Sequence, residues 1–158
     1  MDAWTTCDLA DEHGEAARVV PPGLRHFGGV TRFAGPVETV SCRDDNSRVR
    51  ELVRTPGEGR VLVVDGGGSL ASALVGDMLG SAAAEHGWVG IVVNGCVRDT
   101  AILATIDIGV MALATNPRRS ARADGGTVGG DVDLHGVPCR PGDLLYADAD
   151  GIVLLAAG

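Results

Sequence analysis

Three residues of the sequence have the types and spacing to do chemistry on a small anion. Asp77 is followed, after twenty intervening residues, by the adjacent pair Arg98 and Asp99. An arginine can bind a carboxylate through two parallel N–H donors, and an aspartate offers the hard oxygen ligands that divalent cations take. The pattern therefore favours a small anionic substrate held beside a metal ion. The structural alternative is a solvated Arg-Asp pair at a strand end, which contributes little to stability.

A helix is expected directly after Gly76. Residues 70–87 could form one amphipathic helix, because the apolar side chains between residues 71 and 82 fall on one stripe. Gly76 is a poor interior residue but a good approach to an N-terminus, so we expect the helix to begin near Asp77. That start would leave the backbone amides of residues 76–79 (Gly76, Asp77, Met78 and Leu79) free to bind an anion.

The next strand is expected to deliver the Arg-Asp pair. Residues 88–94 form an apolar, β-branched run of strand length, and Gly95 is predicted to turn the chain into Arg98 and Asp99. Ligands of open α/β sheets collect at the carboxyl ends of strands. Asp77 follows the strand expected at residues 60–65, and Arg98 and Asp99 follow the strand at residues 88–94. If these two strands are parallel neighbours, Asp77 and the Arg98-Asp99 pair lie at the same sheet edge.

The remaining chain alternates between helical segments and apolar runs. Helices are expected at residues 7–13, 44–54 and 100–106, and strands at 33–42, 60–65 and 109–115, followed by short β runs within 128–155. Pro36 suggests an edge or a bulge in the first of these strands. Continuous apolar runs such as Arg60–Asp65 fit strands buried on both faces. The alternation predicts an α/β fold with a central, largely parallel sheet.

Composition narrows the class of protein. A chain of 158 residues is expected to form one domain, residues 1–158, with a polar N-terminal segment over residues 1–27. The net charge of −8 argues against nucleic-acid binding, and the short basic cluster at residues 118–122 is interpreted as a solvated loop. No apolar stretch reaches the roughly 20 residues of a membrane span, and no signal-peptide core is present, so we expect a cytoplasmic protein.

Other kinds of site have less support. The four cysteines and four histidines are scattered, which disfavours zinc and indicates reduced, mostly buried thiols, although Cys96 lies only two residues before Arg98. Residues 66–69 lack the lysine of a phosphate loop, and no dinucleotide glycine motif or Gly-x-Ser-x-Gly elbow is present. His86 is interpreted as a helix C-terminal residue.

The segment from Gly76 to Asp99 resembles the family of regulator of ribonuclease activity A and the 4-hydroxy-4-methyl-2-oxoglutarate aldolases, the RraA-like family. That family carries an aspartate, twenty residues and then Arg-Asp as its active-site signature, and this sequence fits it without a gap. Four flanking segments are also similar: FAGPVETV (33–40), VLVVDGGGS (61–69), DIGVMALATNPRRS (107–120) and PGDLLYADADGIVLL (141–155). The resemblance covers most of the chain from about Gly28 onward.

The resemblance implies a swivelling β/β/α domain, a role for each site residue and a homotrimer with its site at a subunit boundary. The backbone of residues 76–79 and Arg98 would bind a small 2-oxo acid, and Asp99 would bind Mg²⁺ or Mn²⁺. Asp77 would orient a water that moves a proton. The implied reaction is metal-dependent cleavage of 4-hydroxy-4-methyl-2-oxoglutarate to two pyruvates. Oxaloacetate would lose CO₂ through the same pyruvate enolate.

A second hypothesis is a protein-interaction module without chemistry. Members related to regulator of ribonuclease activity A are described as binding and inhibiting a ribonuclease, and an acidic surface would suit basic regions of such a partner. Longer members offer a C-terminal acidic residue to a neighbouring subunit's metal site, whereas this sequence ends at Gly158, so the completion of the metal shell stays open. A menaquinone methyltransferase label used in the family finds no support in any glycine motif.

Overall fold

The structure, a computed structural model, describes residues 3–158. The helices are α1 (Thr6–His13), α2 (Ser47–Leu52), α3 (Asp77–Glu85) and α4 (Thr100–Leu103), with a 3-10 turn at Gly14–Ala16. The strands are β1 (Arg18–Val19), β2 (Arg25–His26), β3 (Phe33–Ser41), β4 (Val61–Asp65), β5 (Ala73–Val75), β6 (Gly90–Val97), β7 (Gly109–Thr115), β8 (Thr127–Val128), β9 (Val132–Leu134), β10 (Val137–Cys139), β11 (Leu144–Asp148) and β12 (Gly151–Leu155). The helix after Gly76 begins at Asp77, as predicted. Within residues 3–158, no helix is long and apolar enough to cross a membrane.

Ten of the strands form one mixed sheet in the order β1-β12-β11-β3-β4-β6-β7-β2, with β5 paired to β6 and β8 to β3. The inner strands β3, β4, β6 and β7 run parallel to one another. Antiparallel strands extend the sheet through β11, β12 and β1 on one side and β2 on the other. The predicted α/β fold with a central, largely parallel sheet is confirmed.

Both faces of the inner strands are covered, so their side chains alternate between two cores. Along β4, Leu62 and Val64 pack in a cluster with residues of α2 and α3, whereas Val61 and Val63 pack with residues of β9 to β12. All four side chains are fully buried. Burial on both faces explains why this strand is a continuous apolar run rather than an alternating one.

The prediction of an edge or bulge at Pro36 is wrong for the strand as a whole, because β3 is internal, but over Phe33–Pro36 the strand is paired on one side only, as an edge would be. It pairs with β11 through Phe33–Pro36 and with β4 from Val37 to Ser41. Pro36 is therefore the last residue of one ladder before the next begins, a position where its missing N–H is tolerated.

The predicted turn at Gly95 is also wrong. β6 continues to Val97, with a shift of register between Val93 and Cys96. The strand continues because β5, which the sequence pattern did not indicate, supplies a new parallel partner for Cys96 and Val97. At this irregularity, β5 replaces β4 as the strand that pairs with β6.

Candidate active site

The ends of two neighbouring parallel strands bring the motif residues together. Val75 of β5 pairs with Val97 of β6, and the backbone N–H of Arg98 donates to the Val75 carbonyl at 3.0 Å. Helix α3 starts directly after β5 and helix α4 directly after β6. Asp77 and the Arg98-Asp99 pair therefore lie at one sheet edge, as predicted, but the strand that brings Asp77 there is β5 and not the predicted strand at residues 60–65.

Asp99 has an unusual backbone that aims its side chain away from its own helix. Its φ of 58° and ψ of 39° are left-handed, which is uncommon for a residue other than glycine and recurs at functional sites. Its carbonyl accepts from the N–H groups of Ile102 and Leu103, but its carboxylate does not cap α4. Instead, Asp99 Oδ2 accepts a hydrogen bond from the N–H of Asp77 at 3.2 Å. The carboxylate thus lies at the N-terminus of α3.

Gly76 is needed at the N-terminus of α3 because a side chain there would collide with Asp99, and not because its backbone adopts a conformation that only glycine allows. Its φ of −132° is open to any residue. A Cβ at this position would lie 2.5 Å from Asp99 Oδ2 and 3.4 Å from Arg98 Cγ. Only a residue without a side chain lets the Asp99 carboxylate approach the helix end this closely.

The first amides of α3 are occupied by carboxylates of the chain. Asp77 N–H donates to Asp99, and Met78 N–H donates to Asp77 Oδ1 at 2.9 Å. The prediction that these amides are free is wrong for Asp77 and Met78, because two nearby carboxylates satisfy them. Met78 is 72% exposed, whereas the Leu79 side chain is buried in the core. The helix end binds anionic groups, as its dipole and unpaired N–H groups favour.

Arg98 is held only loosely by the chain. Its Nε lies 3.9 Å from Asp99 Oδ2, and its side chain is 35% exposed. One terminal nitrogen donates to the Pro117 carbonyl at 3.4 Å. Because both contacts are long, the guanidinium keeps donors available for a carboxylate arriving from solvent.

The carboxylates at this edge fit an open divalent-cation site. Asp77 and Asp99 supply hard oxygens at the same helix end, and no group of three or more His, Cys, Asp and Glu side chains within residues 3–158 could close around a metal. Mg²⁺ is commonly bound through one or two protein carboxylates, with waters and substrate completing about six ligands. The donor set therefore fits a cation of this type and does not resemble a closed structural zinc site.

The motif lines a cleft of about 170 Å³ that also contains four arginines outside the motif. We call these four residues the arginine cluster: Arg50 from α2, Arg54 from the turn directly after α2, and Arg119 and Arg122 from the loop after β7. The arginines of this loop are exposed, as predicted for residues 118–122, although Ser120 is buried, and two of them line the site. Arg50 and Arg54 were missed, and their only sequence signal is a four-residue spacing on the polar side of a predicted helix.

Asp45 connects the arginine-bearing loop to α2. Its carboxylate accepts from the N–H groups of Ala123 and Gly125 and from both the N–H and the hydroxyl of Ser47. These donors lower the pKa of Asp45 to about 2, with the Ser47 hydroxyl contributing most. The anionic form of Asp45 therefore holds both parts of the cluster in place.

The cluster is close enough for its charges to interact. The pKa of Arg122 lies below its ordinary value, chiefly because of the charge on Arg50, followed by loss of hydration and by Arg119, Arg98 and Arg54. Five guanidinium groups thus surround a cleft that contains two carboxylates. The cleft favours anionic ligands.

The buried thiols are poor nucleophiles. Cys96 is fully buried and burial raises its pKa, while burial raises the pKa of Cys42 and Cys139 to about 12. Three of the four cysteines are therefore buried, as predicted for most of them, and Cys7 is exposed.

A second cleft, of about 320 Å³, lies beside α1 and the turn between β11 and β12. Its Asp148 carboxylate is bound by the N–H and hydroxyl of Thr6, so groups of the chain itself already satisfy it.

Comparison with known proteins identifies the family. The RraA-like family model, described as Aldolase/RraA, matches residues 5–154. A protein of Xanthomonas campestris pv. campestris (strain B100), named "Putative 4-hydroxy-4-methyl-2-oxoglutarate aldolase", is 56% identical over 98% of this chain and 92% of its own length.

Two solved structures have the same fold over nearly the whole chain. The RNA-processing inhibitor RraA from Thermus thermophilis matches with a TM-score of 0.93 and 45% identity, over 98% of this chain and 93% of its own. A protein from Geobacillus kaustophilus HTA426, described as S-adenosylmethionine: 2-dimethylmenaquinone methyltransferase, matches with a TM-score of 0.95 and 39% identity, over 98% and 96%. The chain belongs to the RraA-like Aldolase/RraA family.

Proposed function

We propose that the protein is a divalent-metal-dependent lyase that cleaves 4-hydroxy-4-methyl-2-oxoglutarate to two pyruvates and decarboxylates oxaloacetate at the same site. The observation that carries the proposal is the meeting of Asp77, Arg98 and Asp99 at the N-terminus of α3, where Gly76 leaves room for a carboxylate. The names of the curated relatives support the aldolase class.

The basic residues of the chain limit how an enolate can be stabilised. All 13 basic residues are arginine, and the sequence has no lysine. A lysine Schiff base, which activates carbonyl substrates in other enzymes, therefore has no residue on which to form. A divalent cation, when bound, supplies Lewis acidity toward the 2-oxo group and the charge that develops on it.

Arg98 and Asp99 hold the reacting end of the substrate in this proposal. Arg98 binds the 1-carboxylate through its free donors, and the N-terminal end of α3, whose first amide keeps the Asp99 carboxylate in place, favours the same negative charge. Asp99 holds the cation. These groups are positioned before the reaction, so their attraction to the enolate oxygen requires little reorganisation.

In this proposal, Asp77 assists proton transfer by orienting a water molecule. In the cleavage, the C3–C4 bond breaks, its electrons form the enolate of one pyruvate, and the 4-hydroxyl loses its proton as C4 becomes the ketone of the second pyruvate. Protonation of C3 then completes the first product. In the decarboxylation, the C3–C4 bond of oxaloacetate breaks with loss of CO₂ and leaves the same enolate, which is protonated at C3. Asp77, which lines the cleft, orients the water that carries the proton in both cases.

We also propose that a neighbouring chain or solvent completes the site, as a homotrimer with the cleft at a subunit boundary would allow. Apolar side chains stand exposed beside the site, with Met78 at 72% and Ile102 at 51%. The carboxylates described above are too few to fill the ligand shell of a hard cation. Both features are accounted for if another subunit packs against this edge.

Binding to a ribonuclease is a second candidate function. The similarity to the Thermus RNA-processing inhibitor favours it, and the net charge of −8 suits a basic partner surface. The two functions can be separated, because a protein contact does not require the cleft to turn over a 2-oxo acid.

Pyruvate release by the purified protein tests the proposal. We expect release from 4-hydroxy-4-methyl-2-oxoglutarate and from oxaloacetate with Mg²⁺ or Mn²⁺ present, and loss of both activities with a chelator. Turnover that persists unchanged in excess chelator would contradict the metal dependence. Inhibition of a ribonuclease without any pyruvate release would favour the second candidate.

A further inference from the structure

The arginine cluster is not neutralised by the chain itself. The chain has 21 acidic residues, yet within residues 3–158 no carboxylate lies within ion-pair distance of the four cluster arginines. By contrast, Arg18, Arg48 and Arg60 each pair with a carboxylate. Like charges around one cleft repel one another, and an anion bound among them relieves that repulsion.

One carboxylate does not account for this charge. The near end of a 2-oxo acid is served by Arg98, Asp99 and the start of α3, as argued above. The cluster lies on two other segments, α2 with the turn directly after it and the loop after β7, that line the same cleft. Arg54 is tied by one nitrogen to the Arg50 carbonyl, and no hydrogen bond from the side chains of Arg50, Arg119 or Arg122 is present within residues 3–158. Their donors are available for a second anionic group.

We propose that the arginine cluster binds the distal carboxylate of a dicarboxylic 2-oxo acid and thereby favours aldol cleavage over decarboxylation. This inference rests on the proposed function for the orientation of the substrate. The preference follows from where charge moves in the two reactions.

In the aldol cleavage, the distal carboxylate is a spectator. It keeps its full negative charge while the C3–C4 bond breaks and leaves as the carboxylate of the second pyruvate. Contacts with the cluster are therefore retained in the transition state and raise kcat/KM.

In the decarboxylation of oxaloacetate, the distal carboxylate is itself the leaving group. Its charge moves into the enolate and it becomes neutral CO₂, so its contacts with arginine weaken as the bond breaks. Those contacts stabilise the ground state more than the transition state and contribute little to kcat/KM. One arginine cluster thus raises kcat/KM for the aldol cleavage and leaves kcat/KM for the decarboxylation nearly unchanged.

Variants on the two elements test the proposal. We expect Arg50→Gln and Arg122→Gln to lower kcat/KM for 4-hydroxy-4-methyl-2-oxoglutarate by about tenfold or more, the effect of losing a charge-assisted hydrogen bond. For oxaloacetate, kcat/KM should change less than about threefold. Arg118→Gln is the matched control, because Arg118 belongs to the same loop but does not line the cleft. Equal losses for both substrates, or an equal loss in the control, would overturn the proposal.

A binding measurement separates this proposal from the proposed reaction. The two ligands 2-oxoglutarate and 2-oxopentanoate have the same chain length, differ in the distal carboxylate, and lack the 4-hydroxyl needed for cleavage. By calorimetry with Mg²⁺ present, the unmodified protein should prefer 2-oxoglutarate by at least about tenfold, and both variants should lose most of that preference. In the unmodified protein, added NaCl should also weaken 2-oxoglutarate binding more than 2-oxopentanoate binding.

The outcomes are distinct. The distal-carboxylate site is refuted, even if pyruvate is released, when the unmodified protein prefers 2-oxoglutarate over 2-oxopentanoate by less than about threefold. It is also refuted when both variants retain the preference of the unmodified protein. A preference that depends on the cluster, in a protein that releases no pyruvate, supports the site and refutes the proposed reaction. The NaCl comparison requires no substitution, so the proposal can be tested even if a variant does not fold.

Discussion

Replacing Gly76 with alanine should displace the Asp99 carboxylate while leaving the fold intact. The added Cβ would lie 2.5 Å from Asp99 Oδ2, whereas ordinary contact begins near 3.4 Å. Because the backbone at Gly76 is extended and the clashing atom ends a mobile side chain, the carboxylate moves rather than the helix. The hydrogen bond from Asp77 N–H to Asp99 would be lost with it.

The size of the effect follows from that displacement. The carboxylate must move by about 0.9 Å, the difference between 3.4 Å and 2.5 Å. A misplacement of about 1 Å at a reacting centre can reduce the rate about a hundredfold, which is about 2.7 kcal/mol in activation free energy. The stability change should stay within about 1 kcal/mol, since alanine is a poorer N-cap than glycine but reduces the entropy of the unfolded chain.

Gly95→Ala provides the matched control. Gly95 lies in β6 close to the same edge, but a Cβ there would meet its nearest neighbours at 3.5 Å or more, which is ordinary contact. Pyruvate release and thermal unfolding should be measured for both variants. We expect a roughly hundredfold loss of kcat/KM in Gly76→Ala alone, with melting temperatures within a few degrees of the unmodified protein. Full activity in Gly76→Ala would refute the placement of Asp99 at the reacting centre.

Further predictions concern the same site and its support. Asp99→Ala should abolish metal-dependent pyruvate release while circular dichroism stays unchanged, and full activity with Mg²⁺ would contradict its role. Arg98→Lys should lower kcat/KM for oxaloacetate by roughly a hundredfold, since an ammonium group does not reproduce a forked contact; a loss below threefold would count against it. The folded pKa of Asp45, about 2, lies below the ordinary 3.8, so its stabilisation is present above about pH 4 and is lost as pH falls through 2. Asp45→Asn should therefore lower the urea midpoint at pH 7, with the difference from the unmodified protein shrinking below pH 4, and a difference independent of pH would disprove this. Light scattering should give three times the 16.1 kDa chain mass, and a monomer at micromolar concentration would contradict the trimer.

Sequence periodicity predicted the parts of the fold that repeat a simple pattern. The buried run of β4 and the start of α3 after Gly76 are confirmed, because burial on both faces and helix termini have local signatures. The strand β5 was missed because three residues are too few to show a period. Its absence from the prediction caused the error at Gly95, since β5 is what extends β6 to Val97.

The candidate site was predictable only as far as its motif. The prediction placed Asp77, Arg98 and Asp99 at one sheet edge because each segment follows a parallel strand, although the strand that directly precedes Asp77 is β5 and was not predicted. The arginine cluster depends on long-range contacts that join α2 to the loop after β7, such as those of Asp45. The occupied amides of α3 likewise depend on the left-handed backbone of Asp99, which no periodic pattern indicates.

The most direct test of metal-dependent cleavage is the number of pyruvate molecules formed for each molecule of 4-hydroxy-4-methyl-2-oxoglutarate consumed. With Mg²⁺, we expect two pyruvates per substrate from the purified protein, and no consumption above the protein-free rate when a chelator is in excess. Absence of pyruvate with Mg²⁺ present, or the same yield and rate with the chelator, would contradict metal-dependent carbon–carbon cleavage at this site.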